Sequence, residues 1–153
     1  MSIDVSDDLP DLELSGADGP IRLRDYVGKP FVLYFYPKDD TAGCTREAQD
    51  FSALAPDFAK AGAAVLGVSK DTVAKHAKFT AKYGLTVPLA SDEHDVIEAF
   101  GAWVPKVLYG REYMGIDRST WLFDTAGKLV KSWRKVKVPG HVEQVLNAVK
   151  ELA

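Results

Sequence analysis

The 153-residue sequence has a single cysteine, Cys44. No internal disulfide can form and a Cys-x-x-Cys oxidoreductase site is excluded, which agrees with a reducing compartment. Histidine is scarce too: His76 falls in a polar helical pattern, His94 in an acidic turn-like stretch and His141 at a helix start. None has the spacing of a zinc site, and all three are expected at the surface. Positive charge is not in excess. A net charge of -3 and a pI near 5.6 give no sign of a nucleic-acid or anionic-membrane partner. Residues 1–11 are acidic, without the basic start and apolar run of a signal peptide, and no stretch approaches the length of a membrane span. The chain is therefore expected in the cytoplasm, and the scattered aspartates of 4–11 read as a solvated tail. Repeats, linkers and low-complexity segments are missing as well. With 46% hydrophobic and 27% charged residues, 1–153 reads as one globular domain.

What is present concentrates around the cysteine. Phe31-Val32-Leu33-Tyr34-Phe35-Tyr36 is aromatic and β-branched without polar alternation, as in a strand buried on both faces. Pro37 ends it, and residues 38–41 form a short polar loop. Thr41 suits a helix N-cap, its hydroxyl accepting an N–H of the first turn, with Cys44 at the third helical position. Ala48, Phe51, Leu54, Ala55 and Phe58 then recur at helical intervals as an inner face. Cys44 begins that stripe and is expected to face the protein body from the partly wet end of the helix. The thiolate is the reactive form of cysteine, and the positive end of a helix dipole favours a negative sulfur. Thr41 and the Cys44 N–H are the local donors for charge developing in a transition state.

Elsewhere, Leu12-Glu13-Leu14 and Ile21-Arg22-Leu23 alternate around a Gly/Asp/Pro turn and predict an N-terminal β-hairpin. Pro56 predicts a kink or break in the helix after Cys44. Residues 63–69 read as a second buried strand, and 72–83 as a helix capped by Thr72 or Asp71 and stopped by Gly84. A short strand follows at 87–91, a short helix at 95–100 and a loop-rich stretch at 101–115. Residues 119–123 and 128–136 form a hairpin, and 141–152 a last helix. This order implies an α/β fold with a central mixed sheet covered on both faces, as in a thioredoxin-like layout.

Pro37-x-x-x-Thr41-x-x-Cys44 resembles the signature of the peroxiredoxins, thiol peroxidases on a thioredoxin-like fold. The resemblance is closest to the bacterioferritin-comigratory or Q-type subfamily. It runs through Tyr34-Phe35-Tyr36-Pro37, Gly43-Cys44-Thr45, Val65-Leu66-Gly67-Val68-Ser69, Tyr109-Gly110-Arg111-Glu112-Tyr113-Met114-Gly115-Ile116 and Arg118-Ser119-Thr120. It implies that the Cys44 thiolate attacks a hydroperoxide, that Thr41 and Arg118 polarise the O–O bond, and that Pro37 shields the sulfur. Glu47, in a Cys-x-x-Glu pattern, is implied to orient an arginine. Arg118 read alone is an ordinary strand-end arginine, and Glu47 an ordinary solvated helix residue.

The resemblance requires no metal, flavin or haem. Many Q-type members carry a second cysteine five residues after the first, where this chain has Gln49. With no second cysteine, the sulfenic acid is expected to be resolved by an external thiol, thioredoxin or glutathione with glutaredoxin. The protein is expected as a monomer or weak dimer.

Two other readings use the same sulfur. A Cys44–histidine dyad would make a cysteine hydrolase or acyl transferase. A redox-responsive sensor or chaperone-like protein would be switched by Cys44 oxidation loosening the first helical turn. The run Lys131, Arg134, Lys135 and Lys137 beside Trp133 is expected to protect a sheet edge rather than to bind nucleic acid. Trp103, Tyr109 and Tyr113 are expected to cover the core near the site, or to form an aromatic lip for bulky alkyl peroxides.

Overall fold

The structure is a computed structural model that describes residues 3–152. Met1 and Ser2, at the acidic start, and Ala153 lie outside the described residues.

The all-buried run Phe31-Val32-Leu33-Tyr34-Phe35 becomes β3 (Phe31–Phe35). It is parallel to β4 (Ala64–Ser69) on one side and antiparallel to β8 (Ser119–Phe123) on the other. Around these run β1 (Glu13–Gly16), β2 (Gly19–Arg22), β5 (Leu89–Ser91) and β9 (Leu129–Trp133), giving a seven-stranded mixed sheet in the order β2-β1-β5-β4-β3-β8-β9. β1 and β2 are the expected N-terminal hairpin. The whole is the expected thioredoxin-like arrangement.

Because strand side chains alternate, each central strand feeds two cores. Phe31, Leu33, Phe35, Leu66, Val68, Trp121 and Phe123 face one layer, closed by Leu9, Leu14, Leu23 and the helix α4 (Val96–Ala99) with Phe100. Val32, Tyr34, Tyr36 and Leu122 face the other. That layer is closed by α1 (Ala42–Ala53), α2 (Ala55–Lys60), α3 (Val73–Tyr83) and α5 (His141–Lys150). Pro56 sits in the first turn of α2, so the helix after Cys44 breaks at Leu54. Thr72 caps α3 by accepting the Lys75 N–H at 3.2 Å, and Gly84 ends it with φ of 60°.

Three expectations are corrected. The loop-rich stretch 101–115 contains an antiparallel hairpin, β6 (Trp103–Leu108) and β7 (Arg111–Ile116), separate from the main sheet. Pro105 and the polar content disguise it, and its two-residue turn uses Tyr109 and Gly110, both at positive φ (53° and 75°). Trp103 packs against the core layer opposite Cys44, whereas Tyr109 is 95% exposed and Tyr113 47%, so the tyrosines do not cover the core. The aspartates of 4–11 are also not a free tail. Ser6 N–H donates to the Leu129 carbonyl at 2.8 Å, Leu129 N–H to that of Asp7 at 2.9 Å, and Leu9 is buried. Two hydrophobic anchors, Ile3 and Leu9, outweigh the acidic composition around them.

Candidate active site

β3 delivers the chain through Pro37 and a turn to the start of α1, which places Cys44 at the third helical position. The backbone there follows the sequence, with Thr41 extended (φ -102°, ψ 155°) and its carbonyl accepting the Thr45 N–H at 2.8 Å. The side chain does not. Thr41 Oγ1 donates back to the Lys38 carbonyl at 2.9 Å and makes no cap, because that carbonyl lies within its reach one turn earlier. Cys44 itself is 2% exposed, so the expected wet helix end is closed over. Pro37 is half-buried and Gln49 exposed.

Arg118, just before β8, reaches across to this first turn. Its Nη2 donates to Cys44 Sγ at 3.3 Å and its Nη1 to Glu47 Oε1 at 2.8 Å. The Arg118 side chain is 17% exposed and that of Glu47 not at all. One guanidinium therefore bridges the sulfur and a carboxylate a helical turn away. Gly43 makes room for it, since a Cβ there would lie 3.1 Å from Nη2. Burial works against the Arg118 charge, but Glu47 and Cys44 outweigh it and raise the guanidinium further above its usual range. For Glu47 the balance is reversed: complete burial pushes the carboxyl up to about 7 despite the attraction of Arg118.

Beneath this pair lies Tyr34, stacked on Phe51 with centroids 4.4 Å apart. Its hydroxyl and Glu47 Oε2 are both buried without a hydrogen-bond partner. Burial, and then Glu47, keeps the Tyr34 phenol protonated far above its ordinary range. Gly67 on β4 admits the ring, because a Cβ at that position would sit 2.5–2.7 Å from Tyr34 atoms. Gly43 and Gly67 both lie in the sequence segments that carry the family resemblance, but nothing local in the sequence says what they make room for.

Two histidines expected at the surface are buried, each about 4% exposed. His76 Nδ1 lies 2.7 Å from Asp39 Oδ2, and its Nε2 lies 3.0 Å from the Ala90 carbonyl. His141 Nε2 lies 2.8 Å from Thr120 Oγ1. Burial, and then the Arg118 charge, pushes His141 down to about 4, so it is neutral at physiological pH. Their partners come from distant segments, which a polar helical context conceals. His94 is exposed as expected. Among the described residues no histidine hydrogen-bonds to Cys44, so the hydrolase dyad is not formed.

The basic run is divided. Lys131 lies exposed on the edge strand β9, as expected, with its ammonium 5.1 Å from the Trp133 ring. Arg134 is instead a tie: it binds Asp117 Oδ2 at 2.9 Å, donates to the Gly101 carbonyl and lies 5.7 Å from the Trp121 ring.

The chain resembles known proteins over nearly its whole length. Residues 5–132 match the AhpC/TSA family. The chain is 49% identical to peroxiredoxin Bcp of Bacillus subtilis, covering 100% of this chain and 99% of the relative. It is 50% identical to peroxiredoxin Bcp of Xanthomonas campestris, with 94% and 89% covered. A solved structure of the Xanthomonas campestris bacterioferritin comigratory protein, described for its alkyl peroxide reduction activity, superposes with a TM-score of 0.89 at 47% identity, covering 97% and 98% of the two chains. A cysteine-to-serine mutant of Xylella fastidiosa PrxQ superposes with a TM-score of 0.91 at 40% identity, covering 99% and 98%.

Proposed function

The chain belongs to the AhpC/TSA family, among its Bcp/Q-type peroxiredoxins, and is a peroxidase with a single cysteine; from that premise we propose that Cys44 is the peroxide-reducing thiol and that an external thiol completes the cycle. The observation that carries the reading is the Arg118 fork, one N–H on Sγ at 3.3 Å and another fixed by Glu47.

The Cys44 thiolate attacks the terminal oxygen of a hydroperoxide in line with the O–O bond. The S–O bond forms, the O–O bond breaks, and the departing oxygen takes a proton to leave as water or an alcohol, with Cys44 as sulfenic acid. Arg118 stabilises both the thiolate and the departing oxyanion, with the Cys44 N–H as a second donor. Thr41 Oγ1 must exchange its bond to the Lys38 carbonyl for one to a peroxide oxygen. Pro37, half-buried beside the loop, limits access of water to the sulfur, and Glu47 orients Arg118.

Resolution follows from the cysteine count. A thiol donor condenses with the sulfenic acid to a mixed disulfide and water, and a second thiol releases Cys44 and an external disulfide. Thioredoxin and glutathione with glutaredoxin are the candidate donors. No helix among the described residues is long and apolar enough to cross a membrane. We place the protein in the cytoplasm, where such donors are kept reduced.

Stopped-flow oxidation with hydrogen peroxide and an organic hydroperoxide, followed by turnover with each donor system, tests the reading. Sustained turnover with one mixed disulfide, seen by mass spectrometry after one equivalent of peroxide, is the expected result. A single stoichiometric oxidation, followed by client binding and no turnover, would instead mark a redox-switched chaperone.

A further inference from the structure

The segment between β3 and α1 is fastened to the body of the protein by side chains that the peroxidase chemistry does not use. Asp40 sits at a φ of 58°, a left-handed conformation uncommon for a non-glycine residue. A segment held in such a conformation needs anchors on either side. Asp40 itself accepts from the Tyr83 hydroxyl at 2.5 Å and pairs with Lys82 at 2.8 Å, at the end of α3. Asp39 is bound more deeply, its side chain only 5% exposed. Its Oδ1 accepts the Tyr36 hydroxyl at 2.5 Å, its Oδ2 lies 2.7 Å from His76 Nδ1, and its backbone N–H donates to Asp71 Oδ2 at 2.7 Å.

Hydrogen bonds join the members of this cluster. The Ala90 carbonyl can only accept, so His76 Nε2 carries a hydrogen. A lone pair on Nδ1 would then face a carboxylate oxygen at 2.7 Å, so a proton lies between them as well. Tyr36, whose phenol burial keeps protonated, supplies the third hydrogen. The proton shared between His76 Nδ1 and Asp39 Oδ2 joins the two side chains whichever of them carries it, and with the Tyr36 hydroxyl it satisfies both carboxyl oxygens. Around them lie Asp71 before α3, Lys75 at 3.8 Å from Asp71 Oδ1, Tyr34 one residue pair back along β3, and Asp40, Lys78 and Lys82 lining an adjoining cavity of about 270 Å³.

We propose that His76 is a positioning residue for the reaction at Cys44: hydrogen-bonded to Asp39, it clamps residues 37–41 onto α3 and so fixes the first turn of α1. The proposal rests on Cys44 being the thiol that meets peroxide. The clamp acts through geometry, since Thr41, two residues after Asp39, supplies the carbonyl that receives the Thr45 N–H and starts the helix.

The test compares Asp39→Ala, His76→Ala, the double variant, Asp39→Asn and Phe100→Leu, the last on the opposite side of the sheet. Readouts are the single-turnover rate of Cys44 oxidation by hydrogen peroxide, its alkylation by iodoacetamide, exchange of the Asp39 and Thr45 amide hydrogens, and ring-nitrogen NMR of His76. Each alanine variant is expected to slow oxidation about tenfold, and the double variant no further than the worse single one, as for two halves of one interaction. Asp39→Asn should stay within about threefold of the parent, because the carboxamide can accept from Tyr36 and donate to a neutral His76. Phe100→Leu should leave the rate unchanged at equal or greater loss of thermal stability. Ring-nitrogen NMR should show His76 Nδ1 engaged in a hydrogen bond in the parent, and that bond lost in Asp39→Ala. Additive rate losses, or a His76→Ala rate no lower than that of Phe100→Leu, overturn the clamp. If the parent Cys44 fails to react with peroxide, the functional reading falls instead. Amide exchange and alkylation then judge the clamp alone: faster exchange in the alanine variants sustains it and unchanged exchange refutes it.

Discussion

The two sides of the central sheet are built from the same strands and differ in almost everything else. On one side Phe35 and Trp121 each meet Phe100 edge to face at 5.2 Å and are tilted against each other at 6.4 Å, with Phe123 edge to face with Phe100 at 6.3 Å. On the other side lie Cys44, Glu47, Tyr34, Tyr36, His76 and His141, all buried. Burying a charge costs several kcal/mol unless it is paired and hydrogen-bonded, so the second side consumes stability that the first supplies. The alternation of one strand, residue by residue, thus separates an aromatic packing layer from the layer that holds the lone sulfur. Substitutions on the two sides should therefore fail differently.

The widest separation is expected at the cysteine. Cys44→Ser should reduce peroxide consumption by at least about a thousandfold, with the melting temperature nearly unchanged, because a hydroxyl has no accessible anion at neutral pH. Stopped-flow kinetics and a thermal melt read the two quantities. Arg118→Ala should slow oxidation by about 100- to 1000-fold, the range for one removed transition-state donor. It also leaves the buried Glu47 carboxyl without its hydrogen-bond partner, at a cost of about 1–3 kcal/mol. Adding Glu47→Gln should recover stability in denaturant titration but not the rate; recovery of both would place the arginine's role in folding alone.

On the aromatic side the signs reverse. Phe100→Ala should cost about 3–5 kcal/mol in chemical denaturation, while the folded fraction reacts with peroxide at the parent rate. Gly67→Ala tests the boundary between the sides, since the new methyl meets Tyr34. About 1–3 kcal/mol is expected from such overpacking.

The last contrast should appear gradually, with pH. Glu47 keeps its proton up to about 7 in the fold but only to its ordinary value of 4.5 when unfolded. The native state then holds the extra proton, so this group's contribution to stability falls as pH rises through that window. His141 works in the opposite direction. Its value falls to about 4 from 6.5, the unfolded chain holds the extra proton between these limits, and stability is lost as pH falls through them. Glu47→Gln should therefore gain stability relative to the parent from pH 5 to 8, and His141→Gln should lose less than the parent does from pH 6.5 to 4. Denaturant midpoints across pH measure both.

What the sequence made legible was governed by local chemistry. β3 followed from six consecutive apolar residues, α3 from Thr72 and Gly84, and the break at Leu54 from Pro56. The Cys44 helix position needed only Thr41 and the inner stripe. The β6–β7 hairpin escaped because its turn places Tyr109, rather than the asparagine or glycine that usually marks such a bend, in the left-handed region. His76 and His141 were misplaced because Asp39, Ala90 and Thr120, which make their burial tolerable, lie 14 to 37 residues away along the chain. The arginine's partners, 71 and 74 residues upstream, were reachable only through resemblance to a family. The Thr41 hydroxyl was misjudged for the opposite reason, since two nearby backbone partners competed and the sequence could not weigh them.

Gln49 points outward five residues beyond the sulfur. A disulfide between those two positions would need their Cα atoms within about 7 Å and their side chains turned toward each other, which an intact helix forbids. A homologue with cysteine there has to dismantle part of this helix in every cycle. With one cysteine this chain has no such internal bond to make, so no disulfide of its own requires α1 to unwind.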